Sequence, residues 1–208
     1  MAIAGAGFML PMQIITLGRS AKPFHFIGLG GAGTNLLRCF YEKGFSGRFT
    51  IINDTRSIDF PQDIGFIRFA PPDPDKVLFG QKFYEMSDLM KDRGIPQDIR
   101  DLMGGDEKYI ILSGLGRYTG SYLSMKLSGL LHQQNKDHMV VTTLPFSFEG
   151  KHTGNIALYA HERIRSTSRH LTLDLNNIIK EFGNVRVQNA FRVADEKIVK
   201  LFLRLEQN

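Results

Sequence analysis

Tryptophan is absent from this 208-residue chain and cysteine occurs once, which rules out an internal disulfide framework and a cysteine-rich metal site. Cys39 lies among Leu36, Leu37 and Phe40, where it reads as a small buried apolar group rather than a nucleophile. A chain without internal disulfides is expected in a reducing, cytoplasmic compartment. The six histidines, His25, His132, His138, His152, His161 and His170, show no H-E-x-x-H or similar spacing, and no Gly-x-x-x-x-Gly-Lys-Ser/Thr sequence occurs. The ordinary P-loop mechanism is excluded, and neither a metal ligand set nor a catalytic constellation is expected. No apolar run approaches the ~20 residues of a membrane span. The opening MAIAGAGFMLPM has no basic residues ahead of it and is broken by Pro11, so residues 1–22 read as an N-terminal extension and no membrane insertion is expected. There are 26 basic and 21 acidic residues, net +5, with a pI of about 9.3. The basic residues never form a run, so a nucleic-acid partner is not expected either.

What is present is enough apolar content, 42%, for one core. A strand over residues 24–30, a helix over 34–44 that stops at Gly44 and a strand over 48–54 make a βαβ opening. A short strand follows at 65–69, and then a proline-rich loop at 71–75. Residues 79–103 read as two amphipathic helices parted by Gly94 and Pro96. The chain continues with a strand at 108–113, a helix carrying Leu123, Leu127, Leu130 and Leu131, and a strand at 138–144. The PFSFEGK loop, a helix from about 155 to 168, a strand LTLDL and a long helix from about Val187 complete it. Strands alternating with helices predict a three-layer, Rossmann-like α/β fold, its mainly parallel sheet covered on both faces.

Two glycine turns carry the chemistry. GLGGAGTN, residues 28–35, sits where a strand hands over to a helix, so backbone N–H groups and the helix N-terminus favour an oxyanion. By itself this turn also satisfies G-x-G-x-x-G, and Asp54 ends the next strand as a ribose-binding acid would. A NAD-type reading therefore stands beside others. GLGRYTGSY, residues 114–122, is a second such turn on the same sheet. A dinucleotide fold needs only the first; two imply phosphates gripped from two sides.

These residues, with PFSFEGK (145–151) and AFRVADE (190–196), resemble the FtsZ/tubulin family of GTPases from about Pro23 onward. GLGGAGTN is similar to the first nucleotide loop, GLGRYTGSY to a damaged copy of the signature GGGTGSG, PFSFEGK to PFxFEGK and AFRVADE to AFxxADE on the central helix. The resemblance implies GDP or GTP as cofactor, with Mg²⁺ accompanying GTP. Gly30, Gly31, Ala32 and Gly33 would line the phosphates and Asn35 would reach the base. Gly116, Thr119, Gly120 and Ser121 would form the second phosphate loop. Glu149 would match the ribose-binding acid, Phe191 the aromatic stacked on guanine, and Asp195 the carboxylate accepting from guanine N1 and N2. Phe191 is also a member of the apolar stripe Val187, Phe191, Ala194, Ile198, Leu201, Leu205, so plain core is the alternative.

The departures are specific. Arg117, Tyr118 and Tyr122 stand where the signature has glycines, at a cost of roughly 1–2 kcal/mol for any residue forced into a left-handed conformation. Arg117 either offers its guanidinium to a phosphate or is simply solvated. The family's Asn-Thr-Asp appears as Asn53-Asp54-Thr55, PPDPDKVLFG replaces the loop that senses the γ-phosphate, and Thr153 replaces an arginine. Tyrosines crowding the signature turn, together with the lost loop, predict GDP binding at least as good as GTP binding. The expected organisation is a nucleotide-binding domain over 23–208 ending in the central helix, without the activation domain and its acidic loop, hence with incomplete GTPase machinery. On the last helix Val199 and Leu203 are expected to point away from the domain, a face for self-association or docking to an FtsZ-like polymer. Three functions are compatible: a guanine-nucleotide-binding protein of cell division or a cytoskeletal polymer, a pseudo-GTPase partner of such a polymer, and a dinucleotide-dependent enzyme.

Overall fold

In a computed structural model the residues described are 22–56, 59–74, 76–78, 81–183 and 186–207; the expected extension at 1–22 lies, but for Lys22, outside them. The strands are β1 (Phe24–Leu29), β2 (Arg48–Asn53), β3 (Gly65–Arg68), β4 (Lys76–Leu78), β5 (Gln81–Phe83), β6 (Lys108–Gly114), β7 (His138–Leu144) and β8 (Arg169–Asp174). The helices are α1 (Gly30–Glu42), α2 (Met86–Met90), α3 (Gln97–Leu102), α4 (Tyr118–Gln133), α5 (Lys151–Arg165), α6 (Asn176–Phe182) and α7 (Val187–Gln207). Six strands form one parallel sheet in the order β3-β2-β1-β6-β7-β8. All six residues of β1 are buried, because a strand covered on both faces has no polar side to alternate with.

The two faces bury different cores. Under α1 and α7 lies an aromatic cluster in which Phe26 stacks on Phe49 at 5.0 Å and Phe202 meets Phe40 edge-on at 5.2 Å. Under α4 and α5 the core is mainly aliphatic, with Ile27, Leu29, Ile111, Leu123 and Leu127 buried around Tyr109, Tyr118 and Tyr122. Each such side chain contributes roughly 1.5–3 kcal/mol by leaving water. At the far end of the sheet Lys108 and Glu206 form a buried ion pair at 2.5 Å, fixing the last turn of α7 to the start of β6.

Several expected elements differ. Helix α1 begins at Gly30 rather than Thr34, because the glycine turn itself winds into the helix. The two helices expected within 79–103 are present as α2 and α3, parted by Gly94 and Pro96, but they are short, and Gln81–Phe83 before them is a strand, β5, paired antiparallel with β4. The hairpin docks on α5, where Phe83 stacks on His152 at 4.4 Å and His152 Nε2 donates to the Tyr84 carbonyl at 2.8 Å. Helix α5 starts at Lys151, since Gly150 takes φ +96° to begin it, and α6 was unforeseen. On α7, Val199 is buried at 3% exposure and Leu203 packs against the aromatic core, so neither points away; Leu205, expected in the core, is 43% exposed.

Candidate functional site

At the sheet centre β1 lies beside β6 with Leu29 opposite Ser113, and from this pair the strands wind outward in both directions. Where that winding reverses, a crevice opens beyond the carboxyl ends of the strands, the place where open α/β sheets collect ligands. Both glycine turns face it.

In the first turn Gly30 takes φ +65°. A Cβ on Gly33 would stand 2.2 Å from the Leu112 carbonyl oxygen, so at this point the first turn of α1 rests on the backbone of β6 with no side chain between them. Gly31 is different: nothing lies within 4 Å of its would-be Cβ, and Gly31, Ala32 and Asn35 are exposed. The opening N–H groups of a helix have no intrahelical acceptor, and α1 has no acidic residue in its first turn to oppose an anion.

In the second turn Gly116 takes φ +109°, while Arg117 is extended at φ −113°, ψ 162°. Asn135 is the one non-glycine at positive φ among the described residues. The left-handed strain anticipated for Arg117, Tyr118 and Tyr122 is therefore absent, and the tyrosines do not crowd the turn. They occupy the first turns of α4 and point into the aliphatic core, stacked at 5.0 Å. The Tyr122 hydroxyl donates to the Gly94 carbonyl and accepts from the Arg93 N–H, both at 3.1 Å. Arg117 is exposed. Ser121 is fully buried, and its hydroxyl accepts from the Gly116 N–H at 2.9 Å, bracing the turn from beneath. The two turns meet: a Cβ on Gly30 would lie 3.4 Å from Thr119 Cβ, and one on Gly114 would lie 2.5 Å from Ala32 Cβ. Gly120 is pressed on Gly114, with 2.2 Å from its would-be Cβ to the Gly114 carbonyl oxygen.

Beside the turns, a cavity of about 250 Å³ opens between α1, the ends of β6 and β7, and α7, lined by Ala32, Asn35, Ser113, Thr143, Phe191 and Asp195 among others. A wider groove of about 610 Å³ shares Asn35, Phe191 and Asp195 and reaches Arg38 and Cys39. Phe191 is 41% exposed and meets Phe146 edge-on at 5.3 Å, so it stands at the rim instead of in the core. Burial pushes the Asp195 carboxyl up to about 7 from its ordinary 3.8, and no described residue pairs with it. Burial first, and then the Asp195 charge, raise the half-buried Cys39 thiol to about 11, leaving it a poor nucleophile.

Glu149 is turned onto its own loop, accepting from the Phe146 N–H at 3.0 Å. Thr153 donates to the Glu149 carbonyl at 3.1 Å and is pressed under Gly116, where an added Cβ would stand 2.6 Å from Thr153 Cγ2. The space an arginine would need is thus filled. Ser113, Thr143 and Arg38, which border the cavity or groove, were not singled out in the sequence; the first two lie at or near the carboxyl ends of strands facing the crevice, which was the available signal.

A doubly wound parallel sheet whose two glycine turns meet at the switch point, closed on one side by a long helix, defines the tubulin-type α/β domain. No family-level sequence profile matches the chain, but individual relatives do. Cell division protein FtsZ 1 of Pyrococcus horikoshii is 26% identical over 185 residues, covering 85% of this chain and 48% of the relative. The fold is shared with the empty FtsZ dimer of M. jannaschii, at TM-score 0.68 and 20% identity over 92% of this chain and 56% of that one. It is shared too with the GTPγS-bound CetZ2 protofilament of Haloferax volcanii, at TM-score 0.66 and 14% identity over 89% of this chain and 58% of that one. The chain is thus similar in sequence to FtsZ proteins over most of its length and shares the fold of FtsZ and CetZ. It spans about half the length of the curated relatives it matches.

Proposed function

We propose that the domain binds a guanine nucleotide across the switch-point crevice. The phosphates lie on the amides of Gly30 to Gly33 and on the turn from Gly116 to Ser121, and the base lies between Asn35, Phe191 and Asp195. The observation that carries this reading is the Asp195 carboxylate, desolvated and unpaired by any described residue in a cavity beside two acid-free helix starts. Guanine offers a carboxylate two parallel N–H donors, and adenine does not; such charge-assisted pairs are the strong ones.

Calorimetry with GDP tests the reading: Asp195→Ala should weaken binding at least tenfold, about 1.4 kcal/mol, and equal affinities would overturn it. Binding needs the ionised carboxylate, whose pKa in the free protein is about 7. GDP uptake should therefore release a proton below that pH, and affinity should climb from pH 6 to 8 and level above. GDP should bind at least as well as GTP, now on the strength of the altered segment after β3 alone, since the tyrosines are out of the way. Two observations favour a second reading, a nucleotide-free partner of an FtsZ-type polymer: Glu149 is engaged by the Phe146 N–H, and Ser121 is fully buried beneath its turn. Absence of any GDP heat would select it. The neighbours described as a dimer and a protofilament support homotypic association, which light scattering with and without GDP measures.

A further inference from the structure

On the opposite face of the sheet from α1 and α7, a groove of about 520 Å³ runs between α4, α5 and the segment from Leu89 to Arg100. Nothing in the nucleotide reading uses it. Its lining is mixed: Ile95, Met125 and Leu130 supply an apolar strip among polar side chains such as Gln133, Ser166 and Thr167, and Met90 at its edge is 61% exposed. Gly129 opens a notch in the α4 wall, since a Cβ there would meet no atom within 4 Å. The groove is bordered by Arg100, Lys126 and Arg163 against a single acid, Asp92. Lys126 is already matched to Asp92 at 2.8 Å. Arg100 adds to the positive field on Asp92, but neither it nor Arg163 is fastened by a carboxylate: Arg100 Nε donates to the Ile95 carbonyl at 2.9 Å, and the Arg163 guanidinium lies 4.7 Å over the Tyr159 ring. Neither makes an ion pair with a described residue. Two guanidinium forks, each positioned by one contact with donors to spare, are suited to carboxylates.

From this charge and shape we infer that the groove docks an acidic amphipathic helix of a partner protein, its apolar side chains on the methionine-bearing strip and its carboxylates on Arg100 and Arg163. A trough between packed helices accepts a third helix through apolar anchors at i, i+3, i+4 and i+7, and methionine adapts to such anchors. The apolar strip favours a peptide over nucleic acid, whose phosphates would use the cations and leave Met125 and Leu130 unmatched.

The test uses methyl-labelled methionine NMR on the full chain. One probe is a synthetic helix with leucines at those spacings and glutamates on its flanks; its twin has lysine for every glutamate. The acidic helix should shift the Met90 and Met125 methyls and bind at least tenfold tighter than the twin. Arg100→Glu with Arg163→Glu, both at exposed positions, should reverse that preference. Gly129→Leu, which fills the notch without changing charge and improves helix propensity, should weaken the acidic helix about tenfold while the fold persists. Equal binding of both helices, unmoved Met90 and Met125 signals, or indifference to the double charge reversal would overturn the inference. A single-stranded oligonucleotide that moves the same methyls more tightly than the acidic helix would overturn it in favour of nucleic acid.

Discussion

The two glycine turns look like copies of one device, yet they spend their glycines differently. In the first, Gly33 is required by close packing on Leu112, Gly30 by its φ of +65°, and Gly31 by neither, because it faces open space. In the second, Gly120 repeats the packing role and Gly116 the conformational one, while the other glycine positions of the signature have become Arg117, Tyr118 and Tyr122 without strain. A glycine signature therefore mixes two kinds of position: those where the backbone fails without glycine, and those where only room for a ligand is at stake.

That division can be broken by substitution. The largest effect belongs to Gly33→Ala and Gly120→Ala. Each would drive a Cβ to 2.2 Å from a carbonyl oxygen, for a loss of about 3 kcal/mol or more in urea unfolding. Gly31→Ala in the same experiment should stay within ~0.5 kcal/mol. Comparable losses at all three would erase the distinction between packing and open glycines. Next is Gly116→Ala, which combines positive φ with the Thr153 contact, for about 2 kcal/mol. Adding Thr153→Ser removes Cγ2 and should restore the steric part of that loss, leaving the conformational part; strict additivity of the two changes would show that the contact does not matter.

Asp195→Asn sharpens the comparison at the cavity beside the turns. The folded pKa of about 7 lies above the ordinary 3.8, so the unfolded chain sheds this proton first. The stability tied to the carboxyl is full below about pH 4 and is lost as pH rises to about 7. The variant should therefore gain on the parent with rising pH, levelling above pH 7 at on the order of 1–3 kcal/mol after allowing for residual solvent contact. A pH-independent difference would contradict the raised pKa. Smallest is Tyr122→Phe, which deletes the hydroxyl shared by Arg93 and Gly94. It should cost roughly 1 kcal/mol and leave GDP affinity unchanged, because the ring faces the core and not the turn.

The sheet was legible because fully covered parallel strands appear as unbroken apolar runs, FHFIGL and KYIILS among them, and the turns were legible because strand-turn-helix order frames their glycines. The hairpin was not: strands of three residues such as Gln81–Phe83 are too short to display a period of two. The α7 reading assumed one buried face. The helix is in fact packed by the sheet, α1 and α6 together, so Val199 and Leu203 find cover that a single stripe does not predict. Tyr118 and Tyr122 were read against a glycine pattern; their spacing of four, one face of a helix, was the sign that they belong to α4. Beside α7 the sequence marked Asn35, Phe191 and Asp195, which border one cavity. It gave no hint that Glu149 folds back on its own loop, since that depends on a local turn and not on residue type.

The direct seating of α1 on the carbonyl of Leu112 also sets a tempo. Where Gly33 meets that carbonyl no side chain intervenes and there is no rotamer to relax, so in the proposed reading the amides that open α1 are aimed before an anion arrives. Little chain has to be ordered on capture, so arrival should run at the pace of oriented diffusion, roughly 10⁵–10⁷ M⁻¹s⁻¹. Differences among variants of the crevice will then appear in how long a ligand stays, not in how quickly it comes.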